Sequence, residues 1–190
     1  MFQMSLVLIL SSLVHASVLL VPQNYPSIQG AFDASQHADT VLLARGNYFE
    51  LLQAPEHTVS LFSNYYLTQD TTDLLETVLD GQLEGTILCL QAADTCESVI
   101  DGLSFTRGQG DMYTGGAIQL GHDANLTLRN CSFYDNESGT HGADLHCSVV
   151  DGEIGDSDIS LVNVSLQGCF DAYPPSPNAV QIYTEGGGVC

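Results

Sequence analysis

Residues 114–136 read Thr-Gly-Gly-Ala-Ile-Gln-Leu-Gly-His-Asp-Ala-Asn-Leu-Thr-Leu-Arg-Asn-Cys-Ser-Phe-Tyr-Asp-Asn, and they decide the fold. Leu126 and Leu128 alternate with polar residues, which is the period of a strand with one buried face. The glycine pair at 115 and 116 stands before another short apolar run and suits a tight corner. A short strand, a corner and another short strand that recur along a chain indicate a solenoid.

The same pattern recurs on both sides of this stretch. Residues 100–108, 128–136 and 161–169 align without gaps, and the first, fourth and sixth residue of each copy are apolar, with Cys131 filling one of these places. Because strands with a common period stack with equivalent residues in line, this set predicts one ladder of interior side chains.

One column of the alignment predicts a turn. It holds Gly102, Asn130 and Asn163. Glycine and asparagine are the residues that best tolerate a left-handed backbone. An asparagine in such a column can also form a hydrogen bond with its stacked neighbour, so we expect a polar ladder beside the apolar one.

The N-terminal part predicts a helix followed by strands. Ser27 is placed to cap a short helix. Residues 39–44 predict a buried strand, and residues 45–50 a turn with a second short strand. A helix over the first strands covers the end of a stack, which has no neighbour on one side. The apolar face of this helix consists of Ile28, Ala31, Phe32 and Ala34.

Residues 21–50 resemble the opening of the right-handed parallel β-helix proteins of the pectin-lyase-like superfamily. The matching residues are Val-Pro-x-x-Tyr-x-x-Ile-Gln-x-Ala-Phe and, from residue 39, Asp-Thr-Val-Leu-Leu-Ala-x-Gly-x-Tyr-x-Glu. In that group a short helix caps the first coil, and each later coil adds three short strands to three parallel sheets. The resemblance implies an all-β right-handed parallel β-helix solenoid with a short N-terminal capping helix. It implies little about activity, because enzymes and non-enzymes share this opening.

A second resemblance concerns the opening stretch. Its Gly-Gly-Ala-Ile and Phe-x-x-Asn elements resemble the signatures of polymorphic outer-membrane protein repeats, which are surface-exposed β-helical domains associated with adhesion. A degenerate copy begins at residue 141. The alternative, which we prefer for the individual residues, is that they only build corners and an aromatic ladder. The motif residues are Gly115, Gly116, Ala117, Ile118, Phe133 and Asn136.

The remaining segments complete the expected coils. Residues 59–63 predict a strand, and the polar residues 64–76 predict a loop. Asp144 falls where Ile118 would be, so one of the two is displaced or turned outward. Pro-rich residues 173–178 predict a loop. Second strands of successive coils are expected at 86–90, 116–120, 142–147 and 179–183.

The first residues predict export. Residues 5–21 are almost purely apolar, so we expect a signal peptide over residues 1–16, cleaved after Ala16. An uncleaved anchor or a buried strand stays open as the alternative. Residues 17–190 then form a single β-helix domain, with a capping coil at about 17–56 and stacked coils at about 57–190. The glycine-rich end lacks a cap, which predicts a chain truncated at its C-terminus. The expected location is extracellular or at the cell surface, without a membrane span after cleavage.

The charge limits the partners. The chain has 23 acidic residues, three arginines and no lysine, which gives a formal net charge of −20. Because phosphate backbones need cations, nucleic acid is excluded as a partner. Anionic membranes and anionic polysaccharides are repelled unless a divalent cation bridges them.

Two kinds of covalent modification are expected in an exported chain. Of the six cysteines, Cys89 and Cys96 are close enough in sequence to clip one corner as a disulfide. The sequons at Asn125 and Asn136 are possible glycan acceptors in a eukaryotic host. Two further sequons, at Asn130 and Asn163, fall in the predicted turn column, which argues against their modification.

No constellation of catalytic or cofactor-binding residues is found, and a non-enzyme is preferred. Lyases of the resembled superfamily use an Arg or Lys base together with Ca²⁺. Residues 77–81 and 98–102 are near copies ending in Asp-Gly, so Asp80 and Asp101 are expected to stack. They are the candidates for Ca²⁺, the one cofactor considered, and a simple Asp-Gly turn is the preferred interpretation.

Two hypotheses of function follow. The first is an exported, non-catalytic β-helix that acts as a scaffold in adhesion or carbohydrate contact, with a polysaccharide or a host-surface ligand as partner. The second is a fragment of a polysaccharide-active enzyme, a lyase, esterase or hydrolase, whose catalytic coils are missing.

Overall fold

The computed structural model describes residues 15–90, 97–111, 114–121, 124–139, 143–148, 157–167, 170–173 and 180–185. This part of the chain is rich in short strands and contains few helices. In chain order the elements are β1 Val18–Val21, α1 Ile28–Ala34, β2 Asp39–Leu43, β3 Gly46–Tyr48, β4 Leu52–Gln53, β5 Val59–Ser63, α2 Tyr65–Thr68, α3 Thr71–Leu75, β6 Thr77–Asp80, β7 Leu88–Leu90, β8 Glu97–Asp101, β9 Ser104–Thr106, β10 Ile118–Leu120, β11 Asn125–Arg129, β12 Ser132–Tyr134, β13 Leu145–Ser148, β14 Ser157–Val162, β15 Ser165–Leu166, β16 Phe170–Tyr173 and β17 Val180–Glu185.

The strands form three parallel sheets. The seven-stranded sheet has the order β1-β2-β5-β8-β11-β14-β17. The two five-stranded sheets have the orders β16-β13-β10-β7-β4 and β15-β12-β9-β6-β3. Consecutive strands such as β8, β9 and β10 therefore lie in three different sheets, and neighbours within a sheet come from distant parts of the sequence.

The register confirms the alignment of the three copies. Leu128 pairs with Ile100 on one side and Leu161 on the other, and Phe133 pairs with Phe105. The Phe105 and Phe133 rings stack with centroids 4.8 Å apart and planes 5° from parallel. We call the nine aligned apolar residues the ladder, and all nine are buried: Ile100, Leu103, Phe105, Leu128, Cys131, Phe133, Leu161, Val164 and Leu166.

The turn column is also confirmed. Gly102, Asn130 and Asn163 have φ values of 77°, 50° and 54°. The Asn163 amide donates to Asn130 Oδ1 at 2.8 Å, and the Asn130 amide donates to Asp101 Oδ1 at 2.8 Å. A second left-handed column, at Arg107 and Asp135, was not predicted because only one of its two residue types, Asp, is enriched in this backbone conformation.

The predicted helix is formed as α1. The hydroxyl of Ser27 accepts a hydrogen bond from the Gly30 N–H at 3.0 Å, as expected for an N-cap. Ile28, Ala31 and Phe32 are buried, whereas Ala34 is exposed. The sequence analysis missed a second cap: the Glu50 carboxylate accepts from the backbone N–H groups of Ile28 and Gln29, at 2.9 and 3.0 Å. A carboxylate at this end of a helix also interacts favourably with the helix dipole.

Residues 64–76, which we call the insert, are not the predicted loop. They form α2 and α3. The side chain of Asp70 caps α3 by accepting from the Thr72 N–H at 2.9 Å, so the polar residues that suggested a loop serve as a helix cap. Strands β5 and β8 still pair across the insert, with Leu61 opposite Ile100.

The near copies at 77–81 and 98–102 lie in different sheets, so the prediction that Asp80 and Asp101 stack was wrong. Asp80, on β6, pairs with Thr106, whereas Asp101, on β8, pairs with Arg129. Both segments alternate apolar residues and end in a turn, and this local pattern does not specify the sheet that a strand joins.

The second strands confirm one expectation and correct another. Ile118 pairs with Leu88 and Leu145, so Asp144 is displaced from the place opposite Ile118, as expected, and stays buried. The strand predicted at 179–183 is part of β17 and joins the seven-stranded sheet, and β16 pairs with β13 in its stead. The alternating Val and Ile of this segment fit any sheet with one buried face, so the pattern does not determine which strand it pairs with.

Candidate functional site

The glycines of the repeat motif lie in a crowded corner. A Cβ atom on Gly116 would lie 2.5 Å from the carbonyl oxygens of Glu137 and Ala143. Gly116 also accepts a hydrogen bond from the Ile87 N–H, at 3.2 Å. Ala117 and Ile118 continue into the core and are fully buried. These motif residues therefore allow close packing between neighbouring chain segments.

The asparagine of the motif ties three segments together. Asn136 Oδ1 accepts from the Gly108 N–H at 2.9 Å. Its amide nitrogen donates to Asp144 Oδ1 at 2.9 Å and to the Phe105 carbonyl at 3.2 Å. Asp144 is fully buried, so this hydrogen bond satisfies an oxygen atom that water does not reach. Both polar atoms of the Asn136 side chain therefore form structural hydrogen bonds. A glycan attached to its nitrogen would compete with the bonds that this nitrogen donates.

The two calcium candidates have separate partners. Asp80 accepts from Arg107 Nε at 2.9 Å and Nη2, and from the Gln82 N–H at 2.9 Å. Burial disfavours its ionisation, but the hydrogen bonds from Arg107 and Gln82 outweigh burial and lower the pKa of Asp80. Asp101 is bonded to Asn130. In the described ranges no three His, Cys, Asp or Glu side chains are grouped to hold a metal ion.

Cys89 and Cys131 form no disulfide with a cysteine whose side chain the structure describes. Cys89 is half-buried, and burial raises the pKa of its thiol. Cys96 lies outside the described residues, so the Cys89–Cys96 disulfide stays a prediction. Burial raises the pKa of Cys131 to about 12, so this thiol is a small apolar core residue at neutral pH.

Arg45 anchors the insert. It follows β2, and its Nε and Nη2 lie 2.5 Å from Asp73 Oδ1 and 2.8 Å from Asp70 Oδ2. Its Nη1 lies 3.7 Å from Glu76 Oε2. Thr68 donates to Asp73 Oδ2 at 2.5 Å. One guanidinium therefore connects β2 to both ends of α3.

The network favours the ionised carboxylates. Asp73 is buried, and hydrogen bonds from Arg45 and then Thr68 lower its pKa despite that burial. The backbone N–H of Thr72, followed by the Thr72 hydroxyl and Arg45, lowers the pKa of Asp70. The insert is therefore held at neutral pH by carboxylates that remain charged.

A groove runs beside this network, between α3 and the strands β3 and β6. It has a volume of about 470 Å³. Its apolar side chains are Leu75, which is 66% exposed, and Val78. Asn47 supplies an exposed amide, and Glu76 supplies a carboxylate whose side chain is 60% exposed. We call this the insert groove, and its lining consists of Arg45, Gly46, Asn47, Leu75, Glu76 and Val78.

Sequence reasoning missed the insert groove. Its residues come from two segments about thirty positions apart, and the sequence analysis had interpreted the second segment as a loop. The available signal was Asp70 before two threonines, which is a helix-start pattern. It would have indicated the helix but not the guanidinium that holds it.

Comparison with known proteins leaves the site to be interpreted from its own geometry. No protein family matches the chain, and neither a curated protein nor a solved structure does. Within the described ranges, no helix is long and apolar enough to cross a membrane.

Proposed function

We propose that the chain is an exported, non-catalytic right-handed parallel β-helix that serves as an extracellular or cell-surface scaffold in adhesion or carbohydrate contact. The observation that carries this proposal is the corner built by the repeat motif. Gly116 is closely packed, and Asn136 is bonded to Gly108, Phe105 and Asp144. These residues make the stack of strands rigid, so a ligand would be bound by other surfaces of the chain.

The arrangement of the sheets supports the β-helix. Three parallel sheets whose consecutive strands alternate between them are what a chain produces when it winds in one direction. Crossover connections between parallel strands are right-handed in nearly all proteins, which favours the right-handed form. Helix α1 contacts β1, β2 and β4, as a cap on the first coil would. Membership of the pectin-lyase-like superfamily is part of this proposal.

Two of the three arginines support a non-catalytic role. Arg45 and Arg107 are each bonded to carboxylates and hold structural elements together. A proton-abstracting base of the lyase kind needs a group that is free to take up a proton near the substrate. A guanidinium paired with carboxylates is instead kept charged, as the raised pKa of Arg45 indicates.

The insert groove is the contact surface that we propose for carbohydrate. A sugar ring has apolar C–H faces and a rim of hydroxyl groups. Leu75 and Val78 offer apolar contacts, and Asn47 and Glu76 offer hydrogen-bonding groups beside them. The volume is within the range of small-molecule sites.

Two measurements test the proposal. The purified chain is sedimented with insoluble cellulose, chitin and cross-linked pectin, and retention on one of them is expected to fall in a Leu75→Asp variant. The control is Leu83→Asp, at an exposed leucine outside the groove. The chain is also incubated with polygalacturonate and Ca²⁺. We expect neither unsaturated products nor new reducing ends, and clear turnover would instead favour the fragment of a polysaccharide-active enzyme.

A further inference from the structure

We infer that the Ala16–Ser17 bond is a processing site whose cleavage supplies a cation to the buried carboxylate of Asp39. Export, which the proposed function includes, is the premise of this inference. When the signal peptide is removed, water adds across the peptide bond. The carbonyl carbon of Ala16 becomes a carboxylate, and the nitrogen of Ser17 becomes an α-ammonium group at neutral pH. This nitrogen lies 2.7 Å from Asp39 Oδ1.

The carboxylate of Asp39 is buried at the start of β2. The residue is 4% exposed. Its Oδ1 accepts from the Ser17 N–H and its Oδ2 from the Gln36 N–H, each at 2.7 Å. Acceptance at both oxygens is the hydrogen-bonding pattern of an ionised carboxylate. A buried negative charge costs free energy unless a cation accompanies it.

The other described side chains give Asp39 no such cation. The chain has three arginines and no lysine. Arg45 and Arg107 are paired with other carboxylates, and Arg129 lies on β11, three strands from β2 in the same sheet. None of the ion pairs formed within the described ranges includes Asp39. Processing therefore brings a positive charge to a carboxylate that otherwise has only backbone donors.

The position of the new terminus is fixed by the sheet. The Ser17 carbonyl accepts from the Thr40 N–H at 2.9 Å, and β1 pairs with β2 along its whole length. The ammonium group is thus placed by strand register, so little further entropy is lost when it pairs with Asp39. A terminus at Ala16 would put the ammonium group one residue away from this position.

The contact becomes stronger only after processing. In the precursor the Ser17 nitrogen is an uncharged amide, which gives Asp39 an ordinary hydrogen bond. In the processed chain the same contact is charge-assisted, and such bonds are roughly twice as strong. Strand β1 is therefore held most firmly once the signal peptide has been removed.

The experiment compares two forms of the chain that differ by one N-terminal residue. A removable fusion is cleaved directly before Ser17 or directly before Ala16, and mass spectrometry confirms each product. Hydrogen exchange is followed at the N–H groups of Thr40 and Ala44, which donate to the carbonyls of Ser17 and Val21 and exchange when β1 opens. We expect exchange to be roughly tenfold slower in the form that starts at Ser17.

A chemical control removes the charge without a substitution. Because the chain has no lysine, an acetylating reagent modifies the terminal amine selectively. The acetylated form that starts at Ser17 should exchange as fast as the form that starts at Ala16. This control and the comparison of the two forms decide the inference even if a substitution at Asp39 prevents folding.

Two variants locate the partner of the ammonium group. Asp39→Asn keeps an oxygen acceptor but removes the charge, so the two forms should then differ less than roughly twofold. Asp33→Asn removes the same charge from an exposed residue of α1 and should leave the tenfold difference unchanged.

Several results would overturn the inference. Equal exchange in the two forms would do so, as would a difference that persists after acetylation or in Asp39→Asn. N-terminal sequencing of the chain secreted with residues 1–16 should find Ser17 first, and any other first residue would count against it. Retention on an insoluble polysaccharide depends on Leu75 and not on Asp39, so the proposed function and this inference can fail separately.

Discussion

The ladder and the insert are stabilised in opposite ways. The ladder consists of nine apolar residues from three aligned segments, each at most 6% exposed. The insert is held by one guanidinium with its carboxylates and by the contact of the Tyr66 ring with Phe62, and it presents Tyr66, Leu67 and Leu75 to solvent at 53%, 66% and 66% exposure. Apolar burial does not depend on protonation and is not screened by salt, whereas an ion pair is weakened by both acid and salt. The difference indicates that the insert can loosen while the stack of strands stays folded.

The largest effect is expected from removing a ring of the ladder. Phe133→Ala deletes a buried side chain that stacks on Phe105, and we expect a loss of about 3–5 kcal/mol in the free energy of unfolding. Urea unfolding followed by circular dichroism measures it. Tyr134→Ala, at the next and more exposed position, is the matched control and should cost less than about 1 kcal/mol. Similar losses in both variants would contradict the assignment of the ladder.

A smaller effect is expected at the turn column. Asn130→Ala must hold a left-handed backbone and loses the bonds to Asp101 and Asn163, so we expect a cost of about 2 kcal/mol. Asn130→Gly keeps the backbone freedom and should recover about half of it. The same urea titration applies. If the glycine variant is the less stable of the two, backbone strain is not what selects this residue.

The insert should respond locally to the loss of its anchor. Arg45→Met leaves the buried Asp73 without its cation, so the insert is expected to open with little change in the global transition. Chymotrypsin cleavage at Tyr66 measures the opening. Arg107→Met, which unpairs Asp80 away from the insert, is the control and should leave this cleavage slow. Equal acceleration in both variants would show that the insert is not an independent unit.

The smallest effect is expected from acid, which should loosen the insert before it affects the ladder. The pKa values of Asp70 and Asp73 are lowered in the folded chain, so their contribution is present above the ordinary value of 3.8 and is lost as the pH falls through the lower folded values. Hydrogen exchange should show residues 65–75 losing protection in this range before the ladder does. Simultaneous loss in both regions would argue against the separation.

The ladder was predictable, and the insert was not, for a physical reason. Apolar period and Gly/Asn turn residues are local properties, so the alignment of residues 100–108 with 128–136 predicted the register found. The partner of Asp73 is Arg45, and no local pattern connects residues that far apart. The sheet of residues 77–81 was predicted wrongly because the strands that pair with a segment, and not its own sequence, decide which sheet it joins. Glu50 was missed as a helix cap for the same reason, since it lies beyond the two strands that follow the helix.

The pairing of Leu61 with Ile100 across the insert has a consequence for engineering. Two parallel strands stay in register although a two-helix segment and two other strands separate them in sequence. Because the entropic cost of closing a loop grows slowly with its length, the connection that contains the insert should tolerate inserted peptides of different lengths. Residues 65–75 are therefore a position where a foreign peptide could be grafted and displayed, with the flanking strands as a fixed frame.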